Sequence, residues 1–346
     1  MKLKKTLTII LTVTLLLSVL ALPGFAAGLE ELPEYYGFGV GPETEGFSID
    51  YRYFSPVKEN DSKKYPLVIW LHGMGDGAYD GKQIIASDIN NWTTDDFQSR
   101  FKDSGGAFIF APRSVEEQEL YWTDELVYPL RAAIDDFIEK NKEHIDTTRI
   151  YAGGYSMGGK MTLKMAVAYP DMFAAIFPIC PAWIPGEEAI AYLADTPVWM
   201  VSGARDILVN YYSYVLPTWD RIVNISSAPE NCRLSTLIMT LYPDGKIAQS
   251  SHFSWFSVNN DMFSKRNGDY PLMKTQNGLG EKVKLTYPDG MISWLSGFES
   301  DFSGEKATDS GNSDVLKTDG RAKGIKAVGE YFRNLFRHWL YLLNII

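Results

Sequence analysis

The segment that most constrains the fold is a serine set among closely spaced glycines. Gly154-Tyr155-Ser156-Met157-Gly158 has the G-x-S-x-G pattern, with an apolar run before it and a helix-forming run, Met157–Ala168, after it. A serine at a tight strand-to-helix turn has strained backbone angles and needs small neighbours. A glycine-rich turn with an incidental serine is the alternative, but the flanking strand and helix patterns favour a nucleophile. The pattern therefore predicts that Ser156 stands exposed above a sheet.

The rest of the chain predicts the sheet that would carry this turn. Apolar, β-branched and aromatic runs recur between turn residues, and two helical patterns, Glu125–Lys140 and Met157–Ala168, lie between some of them. Strands that alternate with helices imply crossover connections, and hence an α/β fold with a mainly parallel sheet flanked by helices. Working residues are then expected just after the strands. The predicted strands are Ser48–Tyr53, Leu67–Leu71, Ala107–Ala111, Ile150–Gly153, Ala174–Pro178, Val198–Ser202 and Leu234–Leu241.

A glycine-rich loop after the strand Leu67–Leu71 predicts an oxyanion hole. Acyl transfer needs two N–H donors that point at the developing oxyanion. We expect one from the backbone of Met157, next to the nucleophile, and the other from Met74. His72 and Gly73 would support the loop, with His72 as a structural histidine. The alternative role for His72, the catalytic base, is less favoured because it precedes the serine in the chain.

The base is found by elimination among four histidines. His144 ends a predicted helix and His338 lies in a basic tail. His252 remains, in a loop that follows the strand Leu234–Leu241. A neutral imidazole there could accept the proton of the Ser156 hydroxyl and return it to the leaving group. A loop histidine bonded to backbone is the alternative interpretation.

The acid should follow the strand that lies between the serine and the base. Val198–Ser202 is followed by Gly203 and then by Asp206, whose carboxylate would orient the imidazole and stabilise its protonated form. Two rivals are less well placed. Asp195 precedes the strand, and Asp244 lies inside a turn.

Charge and cysteine content exclude several classes of function. The formal net charge is −10, which argues against a nucleic-acid partner. The two cysteines, Cys180 and Cys232, have no zinc or iron–sulfur spacing, so no metal site is predicted. In an exported chain they would allow one disulfide.

The two ends of the chain predict segments outside the catalytic domain. Lysines, an apolar run and small residues around Ala26 predict a signal peptide over 1–26, and hence a secreted protein; an uncleaved membrane anchor is the alternative. Ser, Gly and Asp predominate in 299–320, which predicts a flexible linker. Residues 321–346 have the pattern of a basic amphipathic helix. It would pack on its own domain, on another copy, or on a membrane surface, which would make the protein cell-surface associated.

These residues together resemble one group of α/β-hydrolases. The resemblance is carried by His72-Gly73, Gly154–Gly159, Gly203 with Asp206, and His252 followed by Trp255. The group comprises secreted esterases similar to polyhydroxybutyrate depolymerases and feruloyl esterases. Some relatives are described as predicted peptidases through kinship with prolyl oligopeptidases. The resemblance covers 33–298 and implies the α/β-hydrolase fold, the triad roles and ester hydrolysis without a cofactor.

One region departs from the group. A polar insertion over 258–290 separates His252 from Met291–Phe298, which resembles the last helix of the fold. Because the insertion begins beside the predicted base, it would border the pocket or cover it.

The sequence thus favours a serine carboxylesterase that acts on small-molecule or polymer-linked esters. A serine peptidase with the same triad is the first alternative, although the chain has no blade-length repeat of the propeller kind. A non-catalytic cell-surface binding protein is the second, and the presence of every predicted catalytic residue argues against it.

Overall fold

A single twisted sheet lies at the centre of the part of the chain that the computed structural model describes, which is residues 32–114, 121–242, 244–262, 273–285, 290–321, 326, 329 and 331–336. Its strands within these ranges are β1 Gly37–Val40, β2 Asp50–Phe54, β3 Tyr65–Leu71, β4 Phe108–Pro112, β5 Ile145–Tyr155, β6 Ala175–Ile179, β7 Trp199–Gly203, β8 Arg233–Leu237 and β9 Met273–Asn277. The order across the sheet is β1-β2-β4-β3-β5-β6-β7-β8-β9.

The six central strands, from β4 to β8 in that order, are parallel. At the margins, β1 pairs with β2, β2 with β4, and β8 with β9 in antiparallel register. Every residue of β3, β4, β6 and β7 is buried. Strands covered on both faces must be apolar throughout, which is why these continuous apolar runs were recognisable as strands. The mainly parallel sheet is confirmed.

Helices pack on the faces of the sheet. They are α1 Lys82–Ile85, α2 Asp95–Gln98, α3 Val127–Lys140, α4 Met157–Ala168, α5 Glu187–Ala191, α6 Leu216–Ile225, α7 Trp255–Asn259 and α8 Met291–Leu295. The apolar face of α3 buries Leu130, Ala133, Ile134 and Phe137 in the main core cluster. Their spacing of three and four residues is the helical period, so one face of the helix meets the sheet.

Two edge strands have no clear signal in the sequence. β1 contains two glycines, and β9 is polar, because a strand at an edge need not bury both faces. β9 belongs to the predicted insertion, and Thr275 on it shares a 2.7 Å hydroxyl–hydroxyl hydrogen bond with Ser235 of β8. The described part of the insertion therefore extends the sheet.

The segment 299–320 differs from the predicted flexible linker, because it packs along the domain. Val315 and Leu316 are buried in the main core cluster. The buried side chains of Arg131 and Asp135 hold the segment by its backbone. Arg131 Nη2 donates to the carbonyl of Glu305 at 2.6 Å, and Asp135 Oδ2 accepts from the amide of residue 307 at 2.9 Å. The polar composition predicted a flexible segment, but the hydrogen bonds to its backbone and the burial of Val315 and Leu316 hold it against the domain.

Part of the C-terminal segment is described, and residues 331–336 are helical. Asn334 Nδ2 donates to the carbonyl of Tyr212 at 3.2 Å, and the ring of Tyr331 meets the Tyr212 ring edge-on at 5.7 Å. Phe332 and Phe336 are 61% and 59% exposed. Within the described ranges no helix is both long enough and apolar enough to cross a bilayer. The predicted signal peptide, 1–26, lies outside these ranges.

The two cysteines are not joined, in contrast to the disulfide that the sequence allowed. Both are buried free thiols. Each has its own partner, since Cys180 Sγ lies 3.6 Å from the carbonyl of His252 and Cys232 Sγ lies 3.7 Å from Ser226 Oγ.

Candidate active site

Ser156 occupies a sharp turn between β5 and α4. Its φ of 56° and ψ of −115° are strained for a residue with a Cβ, and its amide donates to the carbonyl of Ile179 at 2.9 Å. A Cβ on Gly158 would lie 2.0 Å from the carbonyl oxygen of Leu71, so only glycine lets α4 begin this close to β3. The predicted strand, turn and helix are all present.

Asp206, three residues beyond the end of β7, forms a buried pair with His252. Asp206 Oδ2 accepts from His252 Nδ1 at 2.7 Å. Asp206 Oδ1 accepts from the amides of Leu208 and Val209, both at 2.9 Å. Two backbone donors and one ring donor stabilise the ionised carboxylate and fix its direction. The structure thus brings together the acid and the base that the sequence singled out.

The loop that carries His252 docks directly on the end of β7. His252 lies in a 3₁₀ turn, Ser251–Phe253, and its amide donates to Ser250 Oγ at 3.1 Å. A Cβ on Gly203 would lie 2.3 Å from the carbonyl oxygen of Ser251. Glycine at the end of β7 is therefore what allows the base to approach the acid.

The environment of His252 favours a strong base. Burial opposes the charged ring, but the neighbouring sulfur of Cys180 and the carboxylate of Asp206 outweigh it and raise the pKa of His252. In the neutral ring, a proton on Nδ1 that is donated to Asp206 puts the lone pair on Nε2. That is the tautomer a general base requires.

Aromatic contacts bring the serine turn next to the base loop. The ring of Tyr155 stacks on Trp255 with centroids 4.0 Å apart, and Trp255 meets the His252 ring edge-on at 5.7 Å. No hydrogen bond from Ser156 Oγ occurs within the described ranges, so its link to His252 stays a prediction. Such bonds are often long in unliganded enzymes and tighten when substrate binds.

His72 is placed as a structural residue. It is fully buried, its Nδ1 lies 2.6 Å from the carbonyl of Gly73, and its Nε2 accepts from the amide of Ser114 at 3.0 Å. Burial lowers its pKa to about 4, so the ring is neutral. Both ring nitrogens are occupied, which argues against His72 as the base.

Further contacts fix the glycine-rich loop that follows His72. Lys82 Nζ donates to the carbonyl of Gly75 at 2.8 Å, and the hydroxyl of Tyr155 donates to Asp76. Met157 is the first residue of α4, where N–H groups have no partner inside the helix. The donor roles of Met74 and Met157 stay predictions.

Cys180 and Asp76 lie in no sequence pattern that predicts a role for them. Cys180 comes directly after β6, has a φ of 37°, and is fully buried against His252. Its position after a central parallel strand is the one signal that could have drawn attention to it. Asp76 lies inside the glycine-rich loop, and its contact with Tyr155 depends on a pairing of distant segments.

The central part of the chain matches a known protein family. Residues 48–206, a little less than half of the chain, match the family described as "Putative esterase". The matched region contains His72, Ser156 and Asp206, whereas His252 lies beyond it.

Two solved structures have the same fold. A thermostable esterase aligns with a TM-score of 0.56 and 24% identity over 67% of this chain and 61% of that chain. Esterase 2 of Thermogutta terrifontis aligns with a TM-score of 0.50 and 12% identity over 68% of this chain and 94% of that chain. At these identities the likeness shows the fold alone, and it confirms the predicted α/β-hydrolase fold.

The chain matches one curated relative over a shorter stretch. Dipeptidyl aminopeptidase A of Saccharomyces cerevisiae is 26% identical over 124 residues, which are 35% of this chain and 13% of that protein. The chain thus spans a small part of that relative and less than two thirds of the thermostable esterase. Together these comparisons confirm the resemblance found in the sequence to esterases with the α/β-hydrolase fold.

Proposed function

We propose that the protein is a secreted serine carboxylesterase that cleaves small-molecule or polymer-linked esters through an acyl-enzyme. The observation that carries the proposal is the buried Asp206–His252 pair, 2.7 Å apart, beside the strained turn that holds Ser156. The match of this region to an esterase family supports it. Secretion is supported by the signal-like pattern over 1–26.

In the acylation step, Ser156 Oγ attacks the ester carbonyl carbon while His252 Nε2 accepts the hydroxyl proton. The N–H groups of Met74 and Met157 stabilise the oxyanion of the tetrahedral intermediate. Protonated His252 then gives its proton to the departing alcohol as the carbon–oxygen bond breaks. Asp206 stays ionised and stabilises the imidazolium.

In the deacylation step, His252 removes a proton from water, and the oxygen attacks the acyl-enzyme carbonyl. The second intermediate collapses, the acid leaves, and the proton returns to Ser156 Oγ. No cofactor takes part in this sequence of steps.

The test is hydrolysis of p-nitrophenyl acetate by the intact chain and by Ser156→Ala. We expect the variant to fall to background, a loss on the order of 10⁶-fold in kcat by analogy with serine peptidases. Ser99→Ala, which changes an exposed serine in a short helical turn, is the matched control and should retain the full rate. Equal rates for Ser156→Ala and the intact chain would refute the assignment.

A serine peptidase is the second candidate, because the curated match is to a dipeptidyl aminopeptidase. The same triad can cleave amides as well as esters. A comparison of p-nitrophenyl esters and feruloyl esters with peptidyl p-nitroanilides separates the two. Higher kcat/KM on the anilides, abolished in Ser156→Ala, would establish the peptidase instead, and no hydrolysis of either would favour a binding protein.

A further inference from the structure

Three side chains with different donor atoms converge at the carboxyl edge of the sheet. They are Cys180 after β6, Asp206 after β7 and His252 in the loop after β8. All three side chains are buried. One possible ligand atom from each (the thiol sulfur, a carboxylate oxygen and an imidazole nitrogen) lies within 4.8 Å of the other two. The cluster is held in place by backbone hydrogen bonds, since the amide of Cys180 donates to Val201 at 2.8 Å.

This donor set has the chemistry of a zinc site. Zn²⁺ binds thiolate, imidazole and carboxylate at about 2.0–2.3 Å, and ligands at such distances lie within the spacing of this cluster. A thiolate ligand favours zinc and other thiophilic ions over Mg²⁺ and Ca²⁺. We propose that Cys180, Asp206 and His252 form an inhibitory binding site for Zn²⁺.

Binding would oppose catalysis in two ways, and this part of the proposal rests on the proposed function. The ion would occupy lone pairs of His252 and Asp206, and it would place positive charge beside the ring. Both effects oppose transfer of the Ser156 proton. The thiol proton of Cys180 is released to solvent as the thiolate binds the ion. The 8% of the His252 side chain that is exposed gives the site contact with solvent.

Spacing in the sequence could not reveal this site. The three ligands come from separate strand ends and form no short motif of the kind that marks zinc fingers. The site arises from the order of β6, β7 and β8 in the sheet.

Metal binding is best measured on Ser156→Ala, which keeps all three ligands and removes turnover. Calorimetric titration with Zn²⁺ should give one equivalent. Co²⁺ in place of Zn²⁺ should give a near-ultraviolet charge-transfer band from the thiolate. Adding Cys180→Ser should remove that band and weaken Zn²⁺ binding at least about ten-fold.

Cys232→Ser is the matched control, because this thiol is also buried but bonds Ser226 elsewhere in the domain. It should leave both the band and the affinity unchanged. The cobalt band tests thiolate ligation without any cysteine substitution, so poor folding of Cys180→Ser would not obscure the result. No binding, no thiolate band, or equal affinity with and without Cys180 would overturn the site.

Inhibition is measured separately on the active chain. Zn²⁺ should abolish ester hydrolysis, EDTA should restore it, and Cys180→Ser should hydrolyse the ester but resist Zn²⁺ by the same factor as in the titration. Zinc that binds in the titration without slowing hydrolysis would refute the inhibitory role. A thiolate-dependent site in a chain that hydrolyses no ester would instead retain the metal site and refute the esterase.

Discussion

His72 and His252 are both buried histidines at the same edge of the sheet, and their chemistry is opposite. His72 is bonded at both ring nitrogens within its own loop region, and burial lowers its pKa to about 4. His252 has a carboxylate, Asp206, at 2.7 Å and a raised pKa. Burial is common to both, so the partners decide the difference.

The two histidines thus acquire different roles from their hydrogen-bond partners. A backbone carbonyl on Nδ1 and an amide on Nε2 leave His72 with no lone pair to accept a proton. A carboxylate on Nδ1 puts the lone pair of neutral His252 on Nε2 and stabilises the charged ring that forms when Nε2 accepts a proton. In the proposed mechanism, the capacity of His252 to act as the base therefore depends on the Asp206 carboxylate, and His72 has no such partner.

The largest expected effect comes from removing that carboxylate. Asp206→Asn should lower kcat on p-nitrophenyl acetate by about 10⁴-fold, because the amide no longer holds the productive tautomer. The base must be neutral, so activity is lost as pH falls through the pKa of His252. Without the carboxylate that pKa falls, and the acid limb of the pH–rate profile should move to lower pH.

Asp195→Asn is the matched control for this measurement, because Asp195 precedes the strand and is exposed. It should leave both kcat and the acid limb in place. An Asp206→Asn variant with an unshifted acid limb would mean that the carboxylate does not set the difference between the two histidines.

The second effect is on stability and concerns the other histidine. His72→Ala should lower the free energy of unfolding by about 3 kcal/mol, because it leaves a buried cavity and an unpaired amide at Ser114. Urea unfolding measures the loss. His144→Ala, at a partly exposed histidine, should change stability by less than about 0.5 kcal/mol. Equal losses in the two variants would contradict a structural role for His72.

A third change tests the docking of the base loop without touching either histidine. Gly203→Ala would place a Cβ 2.3 Å from the carbonyl oxygen of Ser251, so the loop must move away from β7. A displacement of the loop by about 1 Å, enough to relieve this clash, should lower kcat by about 10²-fold. In Gly329→Ala the added Cβ meets no atom within 4 Å, and the rate should stay unchanged. An active Gly203→Ala would show that the loop tolerates displacement.

The sequence predicted the parts of the molecule that depend on local patterns. Continuous apolar runs identified the central parallel strands, and helical spacing identified α3 and α4. Ser156 and Asp206 could be predicted from the sequence because each follows a strand and has a glycine nearby. His252 could be predicted because the chain has few other histidines.

The parts that the sequence could not predict depend on contacts between distant segments. The segment 299–320 has the composition of a linker, but the Arg131–Asp135 pair and the core hold it in place. The place of Cys180 beside His252 follows from sheet order and not from spacing. β9 has one apolar residue, Met273, and is otherwise polar, because an edge strand needs few apolar residues.

The last expected effect concerns the glycine-rich loop that follows His72. Burial raises the pKa of Asp76 to about 6, from an ordinary value of 3.8, although Tyr155 and Lys82 lower it in part. A carboxyl whose pKa rises on folding favours the folded state fully below its unfolded pKa, and that contribution is lost as pH rises through about 6.

Asp76→Asn removes this titration and keeps an oxygen that accepts from Tyr155. The unfolding free energy of the unsubstituted chain should therefore fall by roughly 3 kcal/mol relative to that of the variant as pH rises from below 3.8 to above about 6. Asn in place of the exposed Asp171 should give no such difference. Parallel stability curves for Asp76→Asn and the unsubstituted chain would mean that Asp76 is ionised as readily as a surface carboxylate. In that case burial would shift the pKa of His72 but not that of Asp76. The contrast between His72 and His252 would then depend only on the hydrogen-bond partners of the two rings.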